Sequence, residues 1–140
     1  MQYMLIMRDE DEAAVERRDV PFDEMLAAMD RFNQSLTDAG VLVTAQGLAK
    51  PEEGVVVDFS ADPPLITDGP YGETKELFNG FWIIEVSTRE EAAEWAKRAP
   101  LGPGSFLEVR RVTGVEDVPA DNEWIEKEAR WREDAERAQQ

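Results

Sequence analysis

Two short runs, Tyr3-Met4-Leu5-Ile6-Met7 and Phe81-Trp82-Ile83-Ile84-Glu85-Val86, are apolar on both of their alternating faces. Successive side chains of a strand point to opposite sides of its sheet, so a sheet with one wet face alternates apolar and polar residues. These runs do not alternate in that way, and both sides of the sheet they build need cover. Helices from the same chain can supply one layer. In a chain of 140 residues the economical source of the other layer is a second copy, which predicts a homodimer.

The rest of the chain supplies the helices. Asp9 to Asp19 is charged and reads as an exposed excursion with a solvated acidic surface. Pro21, followed by Asp23 and Glu24, opens a helix whose apolar stripe is Phe22, Leu26, Met29, Phe32 and Leu36, with Gly40 just past its end. Met25 and Met29, at helical spacing, read as core. Val41 to Gly47 predicts a second strand, Pro51 to Gly54 a turn and Val55 to Phe59 a third strand. Ala61-Asp62-Pro63-Pro64 reverses the chain into Leu65-Ile66-Thr67, making a hairpin that delivers the chain to Asp68. A polar loop from Asp68 to Gly80 precedes the Phe81 strand. Two overlapping capping boxes, Ser87 with Glu90 and Thr88 with Glu91, start a second helix with Ala92, Trp95, Ala96 and Ala99 on its buried side; Pro100 ends it. Phe106 to Val112 is the last core strand.

The order is βαβ, a hairpin insertion, then βαβ. With right-handed crossovers this predicts an α+β, ferredoxin-like antiparallel sheet with both helices on one face, over residues 1–112. Residues 113–140 read as a linker and a charged C-terminal helix. Its pairs Glu123/Lys127, Glu126/Arg130, Glu128/Arg132 and Glu133/Arg137 all place the acid four residues before the base, the favourable orientation. Trp124, Trp131, Ala135 and Ala138 mark one apolar edge, which suits packing on the domain or on a partner.

Charge and composition remove several functions. A net charge of −16 offers no cationic footprint for a phosphate backbone or an anionic membrane, so neither nucleic acid nor membrane is an expected partner. With no Cys and no His, thiolate catalysis, Cys–zinc sites and the usual neutral-pH base are excluded. No regular acidic spacing suggests a metal site, and no cofactor is implied. The chain opens directly into a strand-like run without a basic leader, and the expected location is cytoplasmic.

The candidate site residues come from the polar loop and the last strand. Asp68-Gly69-Pro70 is a rigid turn head in which Asp68 either caps its own turn or serves as a general acid/base or ligand anchor. Lys75 either binds an anion or pairs with Glu73 and Glu76. Tyr3 and Tyr71 could orient a ligand through their hydroxyls. Glu108 and Arg110 share one face of the last strand with Phe106 and Val112. If a second copy covers that face, Arg110 is a buried cation that requires a carboxylate, and Glu108 and Asp68 are available. If the helices cover it, Arg111 takes that place. The resulting catalytic candidates are Asp68 and Arg110; the ligand candidates are Tyr3, Tyr71, Lys75 and Glu108, with a small organic acid as a candidate ligand.

Thr67-Asp68-Gly69-Pro70-Tyr71-Gly72-Glu73-Thr74-Lys75-Glu76 resembles the DGPF motif of the YCII-related (DGPF-domain) family, with Tyr71 where the motif has Phe. The resemblance extends over Ala39-Gly40-Val41-Leu42, Gly47-Leu48, Gly80-Phe81, Glu91-Ala92 through Trp95-Ala96, and Glu108-Val109-Arg110, which is followed by Arg111 where the family commonly has Pro. It implies a ferredoxin-like domain that pairs into a dimeric α+β barrel. Related YCII proteins resemble enzymes with a His–Asp pair, which a chain without His cannot reproduce. The family also occurs fused to sigma-factor-like domains. Two readings follow. One is a homodimeric small-molecule enzyme of acid/base type (isomerase, lyase or decarboxylase). The other is a non-catalytic ligand-sensing or regulatory module acting through protein partners.

Overall fold

The computed structural model describes residues 1–9, 19–69, 77–117 and 123–139. Strand β1 (Gln2–Asp9) is central, paired antiparallel with β5 (Leu77–Glu85) on one side and β6 (Ser105–Arg111) on the other. Strand β2 (Leu42–Gly47) adds to the far edge of β5, giving the order β2-β5-β1-β6. This is the ferredoxin-like arrangement expected from two βαβ units, in which each crossover helix carries the chain past a neighbouring strand. Strands β3 (Val55–Asp58) and β4 (Leu65–Asp68) form the inserted hairpin, a separate two-stranded sheet with a cis Asp62–Pro63 bond between its strands.

Register decides which side chains meet. Tyr3 lies opposite Ile84 and Leu5 opposite Trp82, and these four are buried with Phe32 and Leu36 of α1 (Phe22–Asp38) and Ala92 of α2 (Arg89–Lys97). Both helices therefore cover the face that carries Tyr3 and Leu5. Trp82 is fixed twice: its ring meets Phe32 edge-on at 5.4 Å, and its Nε1–H donates to Asn33 Oδ1 at 2.7 Å. The opposite face, carrying Met4, Ile6, Phe81 and Ile83, has neither helix on it. Ile6 is buried there, whereas Met4, Phe81 and Ile83 are half-buried.

Local chemistry explains the element ends. Gly40, at φ 71°, takes the left-handed turn that stops α1. Of the two capping boxes, Thr88 makes the cap: its Oγ1 accepts from the Glu91 N–H at 3.1 Å, and the Glu91 carboxylate reaches back to the Ser87 N–H at 3.0 Å.

Four expectations are corrected. The apolar stripe of α1 is buried only at its C-terminal half, through Phe32 and Leu36; Phe22, Met25 and Leu26 are exposed, because the first turns run beyond the core. Strand β5 begins at Leu77, four residues before the apolar run, since Leu77, Phe78 and Gly80 pair along β1 and Gly80 also pairs with β2. Asp9 is not part of an exposed excursion but ends β1 and is 9% exposed. On the C-terminal helix α3 (Glu123–Ala138), Trp124 and Trp131 are 66% and 68% exposed rather than packed on the domain. That helix turns Ile125, Ala129, Arg132 and Ala135 inward instead, and Arg132 Nη1 donates to Thr113 O at 3.1 Å.

Candidate functional site

The expected site residues do not converge on one place. Asp68 ends β4 opposite Val55, in the small sheet; it is exposed, and among the described residues its carboxylate accepts no hydrogen bond. The hairpin neck is closed by backbone instead, with the Gly69 N–H donating to Gly54 O at 3.0 Å. Glu108 and Arg110 do meet, on the open face of the large sheet. Glu108 Oε2 takes Arg8 Nη2 at 2.8 Å, while Oε1 lies 3.5 Å from Arg110 Nε. The side chain of Arg110 is 68% exposed within the single chain. Tyr3 is on the other face, 4% exposed in the core. Tyr71 and Lys75 lie outside the described residues.

Arg111, on the helix-covered side with Val109 and Leu107, is held by Asp117 of the turn Val115–Asp117, Nη2 to Oδ1 at 2.5 Å. Asp117 also accepts the Gly114 N–H at 2.7 Å. The Arg111 guanidinium, with that amide, holds the Asp117 carboxyl down at about 2, and Asp117 in turn raises Arg111. This pair pins the segment after β6 to the sheet.

A polar cluster absent from the sequence reading sits where β1 stops. Asp9 follows Tyr3, Leu5 and Met7 at period two, and its register partner in β6 is Ser105. Ser105 Oγ donates to Asp9 Oδ1 at 2.5 Å, and Asn79 Nδ2, one residue before Gly80 in β5, donates to Oδ2. Three strands thus converge on one buried carboxylate with both oxygens occupied. Burying a carboxylate is costly unless it is hydrogen-bonded in this way. The period-two signal was present in the sequence, but the run of acids after Asp9 masked it as surface.

The cluster borders open space. A cavity of about 430 Å³ between α2 and β6 is lined by Ser105, Leu107, Val109, Leu101 and the small residues Ala93 and Ala96, with Lys97 at its wall. Ser105 therefore touches both the buried carboxylate and the cavity. A second cavity, about 710 Å³, lies between the start of α1 and the loop that follows α2, with Leu101 and Gly102 common to both. Among the described residues no group of three His, Cys, Asp or Glu is placed to hold a metal ion, and no helix is long and apolar enough to cross a membrane.

The sheet order and the two helices on one face define a ferredoxin-like α+β domain. The YCII-related domain family matches residues 1–125, and the chain belongs to that family. A relative is an uncharacterised protein of Rhizobium meliloti (strain 1021), 25% identical over 75 residues; the match spans 54% of this chain and 60% of the relative's length. Among solved structures, the chain is similar to 5-chloro-2-hydroxyhydroquinone dehydrochlorinase from Burkholderia phenoliruptrix in complex with 2,5-dihydroxybenzoquinone. That likeness has a TM-score of 0.46 at 13% identity, over 85% of this chain and 100% of the other.

Proposed function

We propose that the chain is a small-molecule enzyme of acid/base type, working with Asp9 and Ser105 at the cavity beside α2. The observation that carries this is a buried carboxylate hydrogen-bonded to a hydroxyl that lines ligand-sized space. The Ser105 hydroxyl directs its proton at Asp9 and lies at the wall of the cavity. Ser105 Oγ takes a proton from a C–H or O–H of the substrate while its own proton passes to Asp9 Oδ1; the reverse transfer returns it to another substrate atom. The bond change is an isomerisation, or the first half of an elimination. Lys97 at the cavity wall suits a small organic acid, although Glu94 shares that ammonium at 3.4 Å. Asp68 and Arg110 have less to recommend them as a catalytic pair, since they occupy different sheets.

The assembly proposed with this site is a homodimer through the open sheet face. The half-buried Met4, Phe81 and Ile83 on the face that neither α1 nor α2 covers support it, with Glu108 and Arg110 then enclosed between subunits. The exposed Trp124 and Trp131 favour a second reading, a ligand-sensing module that acts through protein partners.

The experiment is solvent-deuterium exchange into a panel of small keto and unsaturated acids, followed by NMR. Wild type should exchange at least one member. Asp9→Asn and Ser105→Ala should each lower that rate about 100-fold or more, the usual worth of a positioned proton-transfer group. Both variants should keep the wild-type far-UV spectrum. Full activity in either variant refutes the assignment, and binding without exchange moves the chain to the sensing class.

A further inference from the structure

We infer that the larger cavity is a separate binding site for a lipophilic ammonium compound: an apolar body carrying one protonated amine. It contains neither Asp9 nor Ser105, and it adjoins the proton-transfer cavity through the shared wall residues Leu101 and Gly102. Its volume of about 710 Å³ falls in the range that encloses small organic ligands. Phe22 and Met25 of α1 face Pro100, Leu101 and Pro103 across it, so its walls are apolar. Phe22 is 66% and Met25 43% exposed, which leaves apolar surface available to a ligand body.

The charged groups choose the ligand's sign. Among the described residues that line it, Asp19 and Glu24 are the ionisable side chains, and both are acidic. The start of α1 brings roughly half a positive charge from its free N–H groups, but two full carboxylates outweigh it. The chain's net charge of −16 adds a field that gathers cations and repels anions. An organic acid is therefore the wrong ligand here. An amine gains both the apolar walls and the acidic rim.

The test uses three probes with the same body and different heads: 4-phenylbutylamine, 4-phenylbutanol and 4-phenylbutyrate. Titration calorimetry and amide chemical shifts are read together. The amine should bind about fivefold or more tightly than the butyrate at low salt, with the gap closing as salt rises. Shifts should centre on Val20, Phe22, Met25 and Leu101. Glu24→Gln should weaken the amine several-fold and leave the alcohol unchanged; Met25→Trp, which fills the cavity from an exposed position, should weaken all three. Equal affinity for amine and butyrate, shifts centred elsewhere, or unchanged binding in Met25→Trp would each overturn the proposal.

Discussion

Gly80 offers a sharp test of how closely β5 and β2 approach beside the polar cluster. It lies opposite Gly47 of β2 and opposite Met7 of β1. A Cβ added at Gly80 would sit 2.8 Å from the backbone oxygen of Gln46, 3.3 Å from Gly47 Cα and 3.5 Å from Met7 Cε. The nearest of these is main chain held in the sheet, so it cannot swing away as a side-chain end would. Overpacking of this kind costs about 1–3 kcal/mol. The alanine recovers about 0.5–1 kcal/mol through the lower entropy of its unfolded state. Gly80→Ala should therefore be destabilised by about 1 kcal/mol net, taking the middle of both ranges. Gly47→Ala is the control, because a Cβ there meets nothing within 4 Å; it should be neutral or gain up to about 1 kcal/mol. Urea unfolding by far-UV circular dichroism gives both values, with slopes unchanged between variants. The two substitutions should thus have opposite or clearly unequal effects, although the glycines face each other. A Gly80→Ala protein as stable as wild type, or equal losses in both variants, would refute the close approach. Because Leu48 N–H donates to Asn79 O at 2.9 Å, a shift at Gly80 should also move the Asn79 side-chain amide resonances next to Asp9.

Acid should loosen the segment after β6. Asp117 titrates near 2 in the folded chain, below its ordinary 3.8, so its contribution is complete above the ordinary value and is lost as pH falls through the folded one. Amide exchange at Gly114 and Asp117 should rise across that window in wild type, and Asp117→Asn should raise it at neutral pH and flatten the dependence; parallel profiles would contradict the pairing. Thr88→Ala should cost about 1 kcal/mol by removing the acceptor for the Glu91 N–H, with Thr88→Ser largely restoring it in thermal melts. Sedimentation at low micromolar concentration should give twice the 15.8 kDa chain mass, and introducing a charge at Ile83 should shift the population toward monomer; a folded monomer of the wild type would remove the homodimer proposal.

What the sequence determined by itself was set by local chemistry and periodicity. Pro21 and Gly40 bracket α1, Thr88 with Glu91 starts α2, and the two-sided apolar runs became the central strands β1 and β5. From the order of these elements the ferredoxin-like sheet follows, because handed crossovers leave few alternatives. The DGPF-like stretch likewise identified the family. The partners across the sheet were not legible. Asp9, Asn79 and Ser105 are far apart in the chain, and only strand register brings Ser105 opposite Asp9 and Asn79 within its reach. Periodicity assigns a residue to a face but does not say which face the helices will cover. Tertiary packing made that choice: it placed Tyr3 in the core and Arg110 on the open side, and it left Phe22 and Leu26 beyond the core at the start of α1. An acid within a run of acids reads as solvated surface until a neighbouring strand supplies the donors that let it be buried.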